Sequence, residues 1–159
     1  MKRTLLIVFT FVFQFIHAQQ NNRLQELKPT DAAINTIVET VYNNSQRFMP
    51  DQRVYLMNFI KQNNTYDIRV ALPPDNSQPL KDKKYTLGGY FMYNGIVVVV
   101  IGETGKLFTK TGDSISGAWL NKAPDDESAL VGEMPVWQFI LSEGKVENVE
   151  NSTVNLFDK

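Results

Sequence analysis

The sequence predicts an α+β domain in which one N-terminal helix packs on an antiparallel β-sheet of about six to eight strands. Three observations support that class. Apolar residues recur at helical spacing in one convincing stretch, at Ala33, Ile34, Ile37, Val38, Val41 and Tyr42. The rest of the chain reads as short β-type runs separated by turn residues, and Asn94-Gly95 is the strongest hairpin signal among them. No repeat, low-complexity tract or linker interrupts residues 30–159, so a single domain accounts for them.

The elements follow in order. Lys2 and Arg3 precede an apolar stretch from Leu5 to Ile16, and His17-Ala18-Gln19-Gln20 follows it. A charged start, a short apolar core and a small residue before a polar segment are the marks of a secretory signal peptide, here residues 1–18. Its core falls short of the roughly 20 apolar residues that span a bilayer. This leader predicts an exported protein, in the periplasm, at the outer membrane or outside the cell, with no transmembrane segment after its removal. The lysine-arginine start, phenylalanine-rich core and following glutamine resemble leaders of exported proteins from Bacteroidota-type bacteria, a likeness confined to these residues. Residues 19–29 are polar and read as a flexible lead-in.

Pro29-Thr30-Asp31 then opens the helix, with Thr30 as the cap and Asp31 at the positive end of the dipole. Its apolar stripe should lie on a sheet with Glu39 and Thr40 outward, and Asn43-Asn44-Ser45 should end it. Val54 to Ile60 is apolar on both alternating faces, as in a central strand or one covered by the helix. After a turn at Gln62-Asn63-Asn64-Thr65, Tyr66, Ile68, Val70 and Leu72 alternate with Asp67, Arg69 and Ala71, the pattern of a half-buried hairpin partner. Pro73-Pro74 stops that strand, and residues 73–84 form a polar loop. Tyr85 to Tyr93 and Ile96 to Ile101 flank Asn94-Gly95, and Gly88-Gly89 implies a bulge or a close backbone approach. Ile96 to Ile101 should be the most buried strand.

Glu103-Thr104-Gly105 turns into a strand over 106–110, and Gly112 to Gly117 reads as a further turn. Ala118-Trp119-Leu120 suits a short strand, and residues 121–133 an acidic loop. Val136 to Leu141, Lys145 to Val149 and Thr153 to Phe157 would complete the sheet as a meander. One helix on a curved antiparallel sheet resembles cystatin-like and related folds. That resemblance implies binders, inhibitors and enzymes alike, so it does not choose a function.

Composition excludes more than it selects. The chain has 16 basic and 17 acidic residues, and Lys2 and Arg3 belong to the leader. Nucleic-acid binding, which needs a basic stripe, has no support. The densest basic cluster, Lys81, Lys83 and Lys84 around Asp82, reads as a solvated loop margin. There is no cysteine, and the single histidine, His17, leaves with the leader. Serine–histidine and cysteine–histidine nucleophile systems therefore cannot be assembled, and zinc, copper and haem lose their preferred ligands. No cofactor and no metal is expected.

Several motifs dissolve on inspection. Gly112-Asp113-Ser114-Ile115 resembles the nucleophile block of GDSL-type esterases, but that block opens the domain in the family and needs a later histidine. Gly102-Glu103-Thr104-Gly105-Lys106 resembles part of a phosphate-binding loop, with Val100 in place of the first glycine and Leu107 in place of the metal-binding hydroxyl. Asp113-Ser114-Ile115 also resembles an O-glycan acceptor of exported Bacteroidota proteins. Asn43-Asn44-Ser45, Asn63-Asn64-Thr65 and Asn151-Ser152-Thr153 match the N-glycan pattern and point to exposed turns. Asp125-Asp126-Glu127 with Glu133 lacks calcium-loop spacing and reads as a solvated face. A Ser142–Lys145 pair is formally possible and belongs to no motif.

Aromatic side chains are the remaining candidates. On strand 85–93, alternation puts Tyr85, Leu87, Phe91 and Tyr93 on one face and Tyr90 and Met92 on the other. Tyr90, Tyr93, Trp119 and Trp137 are the residues expected to bind a ligand or partner, unless all are packed in the core. The expected function is non-enzymatic: an exported protein that binds a protein partner, such as an accessory subunit of an envelope or secretion assembly, or an inhibitor-like module. The alternative is a carbohydrate-binding module or a small carboxylate-dependent glycan hydrolase, which needs two carboxyl groups about 5–10 Å apart.

Overall fold

The computed structural model describes residues 23–73, 86–117 and 135–149. The leader, the start of the lead-in, most of the Lys81–Lys84 loop, residues 118–134 with Trp119 and the acidic run, and the strand expected at 153–157 lie outside the described residues. Within them the chain forms β1 (Arg23–Pro29), α1 (Ala32–Ser45), β2 (Val54–Gln62), β3 (Thr65–Ala71) and β4 (Leu87–Tyr93). β5 (Ile96–Gly102), β6 (Phe108–Ser116), β7 (Val136–Ser142) and β8 (Lys145–Val149) follow.

All eight strands join one sheet in the order β6-β1-β4-β5-β2-β3-β7-β8. The expected hairpins are present: β2 with β3, β4 with β5 across Asn94-Gly95, and β7 with β8, each antiparallel. The sheet as a whole is mixed, which corrects the antiparallel expectation. β1 runs parallel to β4, and β2 runs parallel to β5. The physical reason is that the β4–β5 hairpin sits as a unit between β1 and β2. Hairpin signals report chain-neighbour pairing and carry nothing about such insertions. These parallel seams also depart from the antiparallel sheet on which the cystatin-like resemblance rested.

A second correction concerns the lead-in. Residues 23–29 form β1, wedged between β4 and β6. Leu24 and Leu27, three residues apart, point to opposite faces and are buried on both. Two leucines in a polar segment were too few to show strand alternation. A third correction is the region 112–117. Instead of turning, the chain continues along β1, and three residues of β6, Thr111–Asp113, stand against the single Glu26 of β1 between the pairs Gln25–Ser114 and Leu27–Lys110. Gly112, at φ 100, lets the strand bulge without ending it.

The helix forms where expected, but Asp31 caps it, accepting from the Ala33 amide at 2.9 Å. Thr30 instead ties the helix start to the β5–β6 connection, through its amide to the Leu107 carbonyl and its hydroxyl to the Lys106 carbonyl. The stripe Ala33, Ile34, Ile37, Val38 and Val41 is buried against Tyr55, Met57 and Phe59 of β2, Val98 and Val100 of β5, and Phe139 and Leu141 of β7. At its far end the Ser45 hydroxyl meets the Tyr55 hydroxyl at 2.8 Å. Ser45 is fully buried, so the first N-glycan match does not mark an exposed turn.

The face away from the helix is buried as well. Leu24, Val54, Leu56, Ala71, Tyr90, Val99 and Ile101 form a second apolar cluster there. β5 is accordingly enclosed from Val98 to Ile101, as its unbroken apolar run requires. Strand β3 was read as half-buried, but Asp67, Arg69 and Ala71 are as enclosed as Ile68 and Val70.

Gly88-Gly89 makes both features expected of it. The register between β4 and β5 shifts between Leu87 and Gly89, so Leu87 pairs with Ile101 and turns to the face opposite Phe91. Gly89 holds φ 149, and a Cβ there would collide with the Gln25 carbonyl oxygen of β1. Replacing Gly89 with alanine should therefore destabilise the fold by about 1–3 kcal/mol from backbone strain alone, plus the loss of β1–β4 contact. Gly95→Ala, which shares the positive φ (79) but has nothing near its Cβ, isolates the strain common to both in urea titration, and Gly89→Ala should lose more. Equal losses for the two variants would contradict this account of the seam.

Candidate functional site

The three described aromatic candidates do not form one platform. Tyr90 stands opposite Glu26 of β1 and is buried in the cluster away from the helix. Tyr93 lies on the helix side, half-buried, with its ring edge-on to Tyr42 at 5.9 Å and 68°. Trp137 also lies on the helix side but on β7, separated from β4 by β5, β2 and β3. That is about 20 Å across the sheet at normal strand spacing. Trp119 falls outside the described residues.

Trp137 instead meets a residue that sequence reasoning missed. Phe48 follows the helix in a turn formed after Ser45, where the Phe48 and Met49 amides both bond to the Ser45 carbonyl. That turn projects Phe48 over β7, stacked on Trp137 with centroids 6.1 Å apart and planes at 15°. Phe48 is 55% exposed, the most open of the large apolar side chains among the described residues. The signal available in sequence was an isolated phenylalanine between Arg47 and Met49-Pro50, inside an otherwise polar turn. Leu87 and Met92 are the other exposed apolar residues, both on the sheet face away from the helix.

A second constellation is polar and buried. Asp67 and Arg69, two residues apart on β3, point to the same face and form an ion pair at 2.8 Å. The Arg69 Nε donates to the same carboxylate oxygen at 3.2 Å, and the Gln138 amide donates to the other at 3.0 Å. Asn58 and Gln138 flank Arg69 across the ladder on β2 and β7. All but Gln138 are almost fully enclosed. Such an arrangement fixes geometry: the carboxylate is held by two hydrogen bonds from Arg69 on its own strand and one from Gln138 across to β7, which suits a tie between β3 and β7 rather than proton transfer. Alternation alone assigned Asp67 and Arg69 to the outer half of a half-buried strand, and nothing local said that this half is covered.

The tyrosines respond to burial. Burial pushes the Tyr90 phenol above its ordinary value, and the Glu26 and Asp113 carboxylates add to the effect. Tyr93 is raised by burial, then by Glu39 and Tyr42. Tyr55 is raised by burial, against the opposing hydrogen bonds of Ser45 and Gln46. None of these shifts creates a base or nucleophile at neutral pH.

The short motifs resolve into backbone structure. Gly112-Asp113-Ser114-Ile115 is the bulge of β6, far from any strand-to-helix turn, and the Ser114 carbonyl accepts from Arg23. Gly102 to Lys106 connects β5 to β6, so no helix follows to cradle a phosphate. The Gly102 and Glu103 amides are taken by the Thr86 and Phe59 carbonyls. Ser142 and Lys145 do stand opposite each other, as the closing pair of the β7–β8 hairpin. Lys145 is exposed there, not in the desolvated setting a lysine base requires. Among the described residues, no group of three or more histidine, cysteine, aspartate or glutamate side chains is placed to hold a metal ion. No helix among them is long and apolar enough to cross a membrane. No family model, curated protein or solved structure matches the chain.

Two outcomes test this account. Asp67→Ala removes the ion-pair partner of the buried Arg69 guanidinium and should cost about 3–5 kcal/mol, whereas replacing both Asp67 and Arg69 by apolar residues of similar volume should cost much less. Equal losses in chemical denaturation would show that the buried pair does not behave as two mutually compensating charges. At alkaline pH the sign is set by the raised phenols. Stability tied to their neutral forms is complete below the ordinary value of 10.0 and drains away as pH rises through the higher folded values. Tyr55→Phe should make that alkaline decline shallower in denaturation curves measured against pH.

Proposed function

We propose that this protein is an exported, non-enzymatic binding protein that engages a protein partner through the Phe48–Trp137 stack. The roles that fit are an accessory subunit of an envelope or secretion assembly and an inhibitor-like module. The observation that carries the reading is the exposure of Phe48 on top of a half-buried tryptophan. An aromatic pair anchored by the core and open to solvent is the kind of rigid, low-entropy contact on which binding energy concentrates. The composition supports it too. With one histidine in the leader and no cysteine, the common nucleophile–base systems have no parts. A carbohydrate-binding role is the second reading, because the same flat aromatic surface suits a sugar ring.

Phe48→Ala provides the test. Its exposure means that truncation should alter folding stability little, while a hot-spot contact of about 2 kcal/mol would weaken partner binding roughly 30-fold. Affinity capture from envelope extracts, repeated with the variant, reads this directly. A partner retained by wild type and lost by Phe48→Ala is the expected result. Equal capture by both proteins, or none by either, would count against the proposal. Binding on a glycan array that disappears in the variant would move the assignment to the carbohydrate reading.

A further inference from the structure

The two ends of the sheet differ in how they treat their outer edge. β6 closes one end and is broken by its bulge at Thr111–Asp113, a feature that disrupts a regular ladder and discourages pairing. Among the described residues β8 closes the other end, with five regularly paired residues, Lys145–Val149, and no bulge or proline. Among the described residues its only neighbour is β7.

Hairpin geometry says which backbone groups of β8 face outward. Glu143 and Gly144 form a two-residue loop with φ 50 and 73, and Ser142 pairs with Lys145 to close it. In such a turn the closing residues bond to each other, so the amide and carbonyl of the next residue, Val146, point away from β7. Asn148 follows in the same sense. Side chains sort separately: Lys145, Glu147 and Val149 share the face of Ile140 and Gln138, while Val146 packs on the helix side.

We infer that β8 pairs antiparallel with β8 of a second copy of this chain, on a two-fold axis through Val146, making one continuous sheet across a homodimer. In-register antiparallel pairing requires residues of like backbone orientation to stand opposite. A short strand then has few possible centres. Centring on Lys145 opposes two lysines, and centring on Glu147 opposes two glutamates. Centring on Val146 alone sets Lys145 against the partner's Glu147 twice, with Val146 against its own copy. Val146 then exchanges two backbone hydrogen bonds across the axis. Lys145 and Glu147 fall at the sites where cross-strand side chains approach most closely. Charge complementarity therefore selects both the occupant and the register. This inference does not rest on the Phe48–Trp137 reading, and either can fail without the other.

Sedimentation equilibrium of the purified protein over a range of concentration and salt tests it. The expected result is a reversible dimer that weakens as salt rises. Lys145→Glu and Glu147→Lys should each raise the dissociation constant at least about tenfold, since both convert two attractive pairs into two repulsive ones. Mixing the two single variants should restore association as a heterodimer, because each then supplies the charges the other lacks. Val146→Pro removes an outward-facing donor without breaking a β7–β8 hydrogen bond and should abolish the dimer, while Val146→Ala, which trims the same side chain packed on the helix side but keeps the donor, should still dimerise. A strictly monomeric wild type would overturn the proposal. So would single variants that dimerise like wild type, or a mixture no stronger than its components.

Discussion

The structure depends on how the β4–β5 hairpin is seated between β1 and β2. The hairpin is oriented so that both of its outer seams are parallel, to β1 on one side and β2 on the other, and each closes without the help of a connecting turn. Both seams place a glycine at the point of closest approach. Gly89 of β4 lies against the Gln25 carbonyl of β1, and Gly102 of β5 lies against the Phe59 carbonyl of β2. Both glycines hold positive φ, at 149 and 85, so the backbone comes closer than any side chain would permit. The insertion in turn makes β5 a central strand with apolar residues on both faces.

From that central position the layers follow. The helix stripe closes one face through Ile34, Ile37, Val38 and Val41, all fully buried. It is held at both ends by polar contacts that are specific in direction. Thr30 and Asp31 tie its start, and Ser45 with Tyr55 ties its end. The opposite face carries a smaller apolar cluster and, beside it, the Asp67–Arg69 pair with Gln138. An ion pair withdrawn from water contributes little to net stability, and because both charges sit on β3, it is the Gln138–Asp67 bond that a slip of β3 against β7 would break. The Gln138–Asp67 bond and the glycine seams thus do related work, each tying a different pair of strands in one alignment.

The surface features that suggest function lie where these constraints relax. Phe48 sits just past the helix, carried by a turn that the Ser45 carbonyl organises, and rests on Trp137 without being enclosed. Among the described residues, strand β8 ends the sheet beyond the reach of the inserted hairpin, with an edge free of bulges and proline. A binding role built on these two places uses a rigid scaffold to present a small aromatic contact and a strand edge.

Local chemistry was legible in the sequence wherever one element decides its own form. The helix, the hairpins at Asn94-Gly95 and residues 62–65, the buried run of β5 and the special backbone at Gly88-Gly89 all arise from neighbours a few residues apart. The lack of cysteine is likewise a matter of composition. Tertiary structure alone decided that residues 23–29 are a strand, that β4–β5 enters between β1 and β2, and that the 112–117 segment bulges instead of turning. It also decided that Asp67 and Arg69 are enclosed, that Tyr90 is core, and that Trp137 pairs with Phe48. Each of these depends on what a distant segment brings to the same place, and periodicity within a strand reports which residues share a face but not whether anything covers it.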